Sequence, residues 1–205
     1  MATNNISRPS PDDFITAEAN PLWLKSPSPF NTLDNEWYQI IIFYVFHSPA
    51  SGVSARSKSL DSYGWGTKSK DDDFKLLKNR LIKYSGLSKA TFRCEDTWAN
   101  LKQAIQETDL FVFPTDLTCE RIAYRTGKKR EIDSLLSHTR NSFAHGRLSF
   151  YTCRENVYIA MEDIDTKKHV SARIIVSKQT LLNWKVIIEA GPFTSEYELE
   201  KSLNR

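Results

Sequence analysis

Apolar positions along this chain fall into blocks, and their spacing changes character after Gly146. From Asp34, a good helix N-cap, Trp37, Ile40, Ile41, Phe43, Tyr44 and Val45 follow as a helix that stops before Ser48-Pro49. It is apolar almost all round, which predicts a central position. Residues 48–70 are rich in Ser, Gly and Lys with no hydrophobic period, and read as a long loop. Asp71-Asp72-Asp73 opens a second helix, and its basic end at Lys78, Arg80 and Lys83 matches the helix dipole. Phe74, Leu77, Leu81 and Tyr84 form its buried stripe, and Gly86 ends it. A third helix fits 96–108, with Trp98, Leu101 and Ile105 inward. Phe111-Val112-Phe113-Pro114 reads as an apolar connector. A fourth helix fits 116–125, closed by Gly127, and a fifth begins near Lys128.

Beyond Gly146 the period drops to two. Residues 147–153, 157–162 and 170–176 alternate as three short antiparallel strands, with Leu148, Phe150, Val157, Ile159, Met161, Ile174 and Val176 among the inward positions. A last strong helix starts at Ser177 and runs through Leu181, Trp184 and Ile188 to Gly191-Pro192. Ser195-x-x-Glu198 has the form of a capping box for a short terminal helix. Residues 1–33 hold Pro9, Pro11, Pro21, Pro27 and Pro29, which bar a long helix. They read as an extended arm that wraps the domain through Phe14, Leu22 and Trp23, with one helical turn near 12–19. The expected organisation is an arm (1–33), a domain (34–191, with the 48–70 loop and a 147–176 β-meander) and a tail (192–205). The expected fold class is mainly α, a helical bundle with a small antiparallel meander near the C-terminus.

Composition narrows the class only modestly. The 205 residues are 40% hydrophobic and 26% charged, with a net charge of +3, as in ordinary globular proteins. That charge is too small to imply a nucleic-acid partner by itself. Cys94, Cys119 and Cys153 are far apart and lack a C-x-x-C pair, which argues against a disulfide framework and against a zinc site. No metal or cofactor is expected. The N-terminus lacks an apolar leader, and the most apolar run, 40–46, is about a third of the length needed to cross a bilayer. The expectation is a soluble, cytoplasmic protein with no membrane contact.

The fifth helix carries the sharpest chemistry, in Arg140-Asn141-Ser142-Phe143-Ala144-His145-Gly146-Arg147. At about 100° per residue, Ile132, Leu135, Leu136, Thr139 and Phe143 share the core side. Ser134, His138, Asn141 and His145 share the opposite side, and Arg140 lies on the flank. Gly146 is a natural residue for closing the helix, which puts His145 in the last turn. This polar face has short side chains and two imidazoles in place of a Lys–Glu ladder. A structural role, with Arg140 paired to an acid and His145 capping carbonyls, accounts for the same residue types about equally well. Arg121, Arg125, Lys128, Lys129 and Arg130 form a basic run leading into this helix, offset by Glu120 and Glu131. With Arg147 it could hold an RNA backbone; a solvated turn is the alternative. In the 48–70 loop, Tyr63 and Trp65 lie among cations and could stack bases; a disordered loop is the preferred alternative.

Arg140, Asn141 and His145, at a helix end followed by Gly146, resemble the signature of the HEPN superfamily. That signature is an Arg, commonly followed by a polar residue, with a His four to six residues further on. The meander and closing helix resemble those of small HEPN proteins carried by plasmids and defence islands, over about residues 34–190. The resemblance implies an α-helical bundle and a metal-independent endoribonuclease, acting as a toxin or an antiphage effector. It also implies a homodimer that brings two motif helices together, and a possible antitoxin or defence partner protein. The implied chemistry is attack by the RNA 2′-OH, giving a 2′,3′-cyclic phosphate. His145 would serve as general acid or base, Arg140 would hold the phosphate and Asn141 would orient one or the other. Lys128, Lys129, Arg130 and Arg147 would bind RNA. The alternative is a non-catalytic HEPN module that binds RNA or protein. One HEPN subgroup has Tyr two residues after the His; this chain has Arg147 there.

Overall fold

The computed structural model describes residues 10–16, 23, 24, 34–50, 58–66, 70–114, 118–127 and 130–204. Along them run α1 (Asn35–Ile41), α2 (Lys70–Lys83), β1 (Phe92–Glu95), α3 (Trp98–Glu107), β2 (Arg121–Arg125), α4 (Glu131–Ala144), β3 (Leu148–Cys153), β4 (Asn156–Ile164), β5 (Val170–Ser177), α5 (Lys178–Ala190) and α6 (Glu196–Leu203). A π-helical stretch, Ile42–His47, continues α1. The caps are written in the sequence. Asp34, Thr97, Ser177 and Ser195 each accept a backbone N–H from the first turn of the helix they open, a contact that stabilises a helix by about 0.5–2 kcal/mol.

All five strands join one sheet in the order β1-β2-β5-β4-β3. β1 and β2 are parallel; the other neighbours are antiparallel. The fold is therefore α/β, which corrects the expected helical bundle with a small meander. The meander exists as β3, β4 and β5, but it is the larger part of a mixed sheet. Two segments account for the difference. Residues 121–125, expected to be helical, form β2, with Ile122 paired to Phe92 on one side and to Ile174 on the other. Ile122, Ala123 and Tyr124 are fully buried, and a short apolar run covered on both faces is compatible with a strand or a helical turn until its partners are known. β1, only four residues long, gave no periodic signal at all.

Each face of the sheet has its own core. On one face, Ile122, Tyr124, Ile159, Met161, Ala172, Ile174 and Val176 pack with α1, α2, α4 and α5. On the other, Ala123, Tyr158, Ala160 and Ile175 pack with Leu101, Ala104 and Ile105 of α3 and with Trp23. The arm residues in view do pack on the domain. Phe14 stacks on His169 at 4.0 Å, and the Ile15 carbonyl accepts from the Val170 N–H. Leu22 lies outside the described residues. Trp65 and Tyr63 are tied down rather than presented for stacking. The Trp65 indole donates to the Ile188 carbonyl and the Tyr63 hydroxyl to the His47 carbonyl, both at 2.9 Å.

Buried charges are held in place by several hydrogen-bond or ion-pair partners each. Glu120 accepts from the backbone N–H groups of Gly86 and Ser177 and from the Thr180 hydroxyl, at the start of α5. Glu162, wholly buried in β4, pairs with Arg147 and with Arg173. Arg80 donates to Glu196 and to the carbonyls of Gly191 and Thr194, which fastens α6 against α2.

Candidate functional site

Helix α4 crosses one face of the sheet, and its sequence sets what each side meets. Ile132, Leu135 and Leu136 enter the core, and Phe143 packs against its edge, its ring stacked on Tyr44 at 5.9 Å. Gly146 follows in the left-handed region at φ +64, where glycine is unstrained, and ends the helix as the sequence suggests. His145 is the C-cap residue and is exposed. Its imidazole has no hydrogen-bond partner among the described residues.

The polar side of α4 is less open than the sequence suggests. Ser134 and Ser137 are buried, and Ser134 donates to the Thr126 carbonyl. His138 lies 2.7 Å from Asp163 Oδ2 through Nδ1 and 2.7 Å from the Arg125 carbonyl through Nε2. Both ring nitrogens thus lie against oxygen atoms of the protein. His138 is an orienting strut with no free nitrogen for proton transfer. Asn141 donates to the same Asp163 oxygen at 3.3 Å, and its own carbonyl accepts from Arg140 at 3.3 Å. The Arg140 Nε is buried without a partner. A groove of about 440 Å³ opens beside these residues, lined by Trp98, Arg125, Thr126, His138, Asn141 and Asp163 among others.

Arg140, Asn141 and His145 therefore share one helix end, but not one point. Arg140 and His145 lie about 140° apart round the helix axis. Arg147 points to the other face of the sheet, because Glu162, its partner, faces away from Asp163 beside it. Arg130 donates to Asp133 at 2.5 Å and lies 3.9 Å over the Phe74 ring. Lys128 and Lys129 lie outside the described residues. Sequence reasoning missed Asp163 and Trp98 as parts of this surface. A signal for Asp163 was present: it follows Val157, Ile159 and Met161 at the same period and places a carboxylate on their inward face.

The three cysteines are free, and burial pushes the Cys94 thiol up to about 11. No helix among the described residues is long and apolar enough to cross a membrane. No known protein family, curated protein or solved structure matches the chain.

Proposed function

We propose that this chain is a metal-independent endoribonuclease whose site is built on the C-terminal end of α4. The observation that carries the reading is the exposed, unpartnered imidazole of His145, one turn beyond Asn141 on a helix that also carries Arg140. Imidazole titrates near neutrality, which suits it to take the proton of a ribose 2′-OH. The Arg140 guanidinium supplies planar donors for phosphate oxygens as charge grows on them. Because Arg140 and His145 diverge round the helix, the reading calls for a homodimer in which a second α4 completes the site. One His145 then acts as base and its mate as acid, and the products are a 2′,3′-cyclic phosphate and a 5′-OH. The reading leans on motif residues and not on architecture, since the five-stranded sheet is not the bundle that the HEPN resemblance implies. It places the protein in the cytoplasm, where RNA and reduced thiols coexist, as a toxin or antiphage effector restrained by a partner protein.

Purified protein incubated with total RNA in EDTA tests this. Cleavage with cyclic phosphate ends is expected, and His145→Ala lowers the rate by about 10²–10⁴-fold with the circular dichroism spectrum unchanged. Cutting at a scissile position that carries 2′-deoxyribose would rule the chemistry out. A second reading, a module that binds RNA or protein without cutting, is favoured by the commitment of Arg147 to Glu162 and of Arg140 to Asn141. RNA retained in a gel-shift assay but left intact would select it.

A further inference from the structure

The groove beside α4 lies where the chain's connections part. Helix α3, which joins the parallel strands β1 and β2, covers one face of the sheet, and α4, which leaves β2, covers the other. In α/β sheets the crevice outside the carboxyl ends of strands, at such a parting, is where ligands bind. Here the crevice runs from Trp98, the first residue of α3, past Arg125 at the end of β2, to Asp163 near the end of β4. Its volume of about 440 Å³ falls within the usual range of small-ligand sites.

Its polar groups are already oriented. Asp163 Oδ2 is held by His138 and Asn141, while Oδ1 accepts from none of the described residues. The Arg125 guanidinium stacks 4.4 Å over the Trp98 ring, and its Nε is buried without a partner. Asp165, also in the lining, is spent on the backbone of Lys167 and on His169. The groove thus offers one fixed carboxylate acceptor and one fixed guanidinium donor. Two carboxylates in the lining disfavour a phosphate inside it.

We propose that this groove is a base subsite for the RNA strand and that it takes guanine. This rests on the endoribonuclease reading for its choice of polymer. Guanine presents N1–H and N2–H donors on one edge, which match Asp163 Oδ1, and O6 and N7 acceptors on the other, which arginine recognises well. None of adenine, cytosine and uracil presents both of these paired edges. His145 stands about 6 Å along the helix from Asn141 and on the same side. A guanosine seated in the groove therefore directs its neighbouring phosphate to the helix end that carries Arg140 and His145.

Uncleavable 2′-O-methyl tetranucleotides that differ at one base test the subsite apart from the chemistry. Binding is read by calorimetry and by the indole N–H resonance of Trp98, assigned with Trp98→Phe. The guanine oligonucleotide is expected to bind about ten-fold or more tighter than the other three and to shift the Trp98 resonance. Asp163→Asn, if its circular dichroism is native, should bring it level with them; the wild-type comparison stands whether or not that variant folds. Equal affinity for all four bases, or a guanine preference that leaves Trp98 unmoved, overturns the proposal. RNA cleavage without base preference would leave the nuclease reading standing and remove this one. Guanine-selective binding without any cleavage would do the reverse.

Discussion

Glu162 has no exposed surface, yet two arginines reach it, Arg147 from the turn after α4 and Arg173 from β5. Burial pulls the Arg173 guanidinium below its ordinary value, and the Glu162 charge opposes that. Removing the carboxylate leaves both cations short of a partner, so Glu162→Ala should cost about 3–5 kcal/mol in urea denaturation. A midpoint equal to wild type would contradict this account of the core. Cys94 gives a second residue-level expectation. With its thiol pushed up to about 11, it stays protonated at neutral pH and should react with iodoacetamide far more slowly than a free thiol. At this scale, the motif residues of the candidate site were legible because they are local: Arg140, Asn141 and His145 lie within six positions of one helix. The His138–Asp163 contact was not legible, because it joins residues 25 positions apart through a strand register that sequence spacing does not contain.

Helices announced themselves through their ends. Asp34, Ser177 and Ser195 were readable as caps and do cap, because a side-chain oxygen at a helix start answers a local need for acceptors. Strand β2 was misread because Arg121-Ile122-Ala123-Tyr124-Arg125 is short and its identity depends on β1 and β5, which lie far off in sequence. The terminal helix α6 carries a pH-dependent tie. Lys83, Tyr84 and Arg80 surround the Glu196 carboxylate and lower its pKa to about 2. A folded-state value below the unfolded one means that its contribution is whole above about 4.5 and is lost as the pH falls towards 2. Glu196 is about half exposed, so solvent screens part of that gain. Glu196→Gln should therefore flatten the acid limb of the stability curve in that window while changing little in its shape at neutral pH.

At the scale of the whole molecule, a net +3 gives only weak long-range attraction for a polyanion such as RNA. On the nuclease reading, local cations must then supply most of the electrostatic hold on RNA. Reversing Lys128 and Lys129 together should weaken RNA binding across sequences and reduce the slope of log affinity against log salt by about 2. An unchanged slope would take these two lysines out of the interface. The mixed sheet sets where such contacts can form, because it divides the molecule's polar groups between its two sides. Arg147 and Asp163, sixteen positions apart, end up on opposite sides of it. The start of α5 adds a constraint of another kind. Its amide end, which in many proteins greets a phosphate from solution, is already filled by the chain's own Glu120. The molecule thus supplies a built-in counter-ion at that dock, and an incoming anion must find its welcome elsewhere.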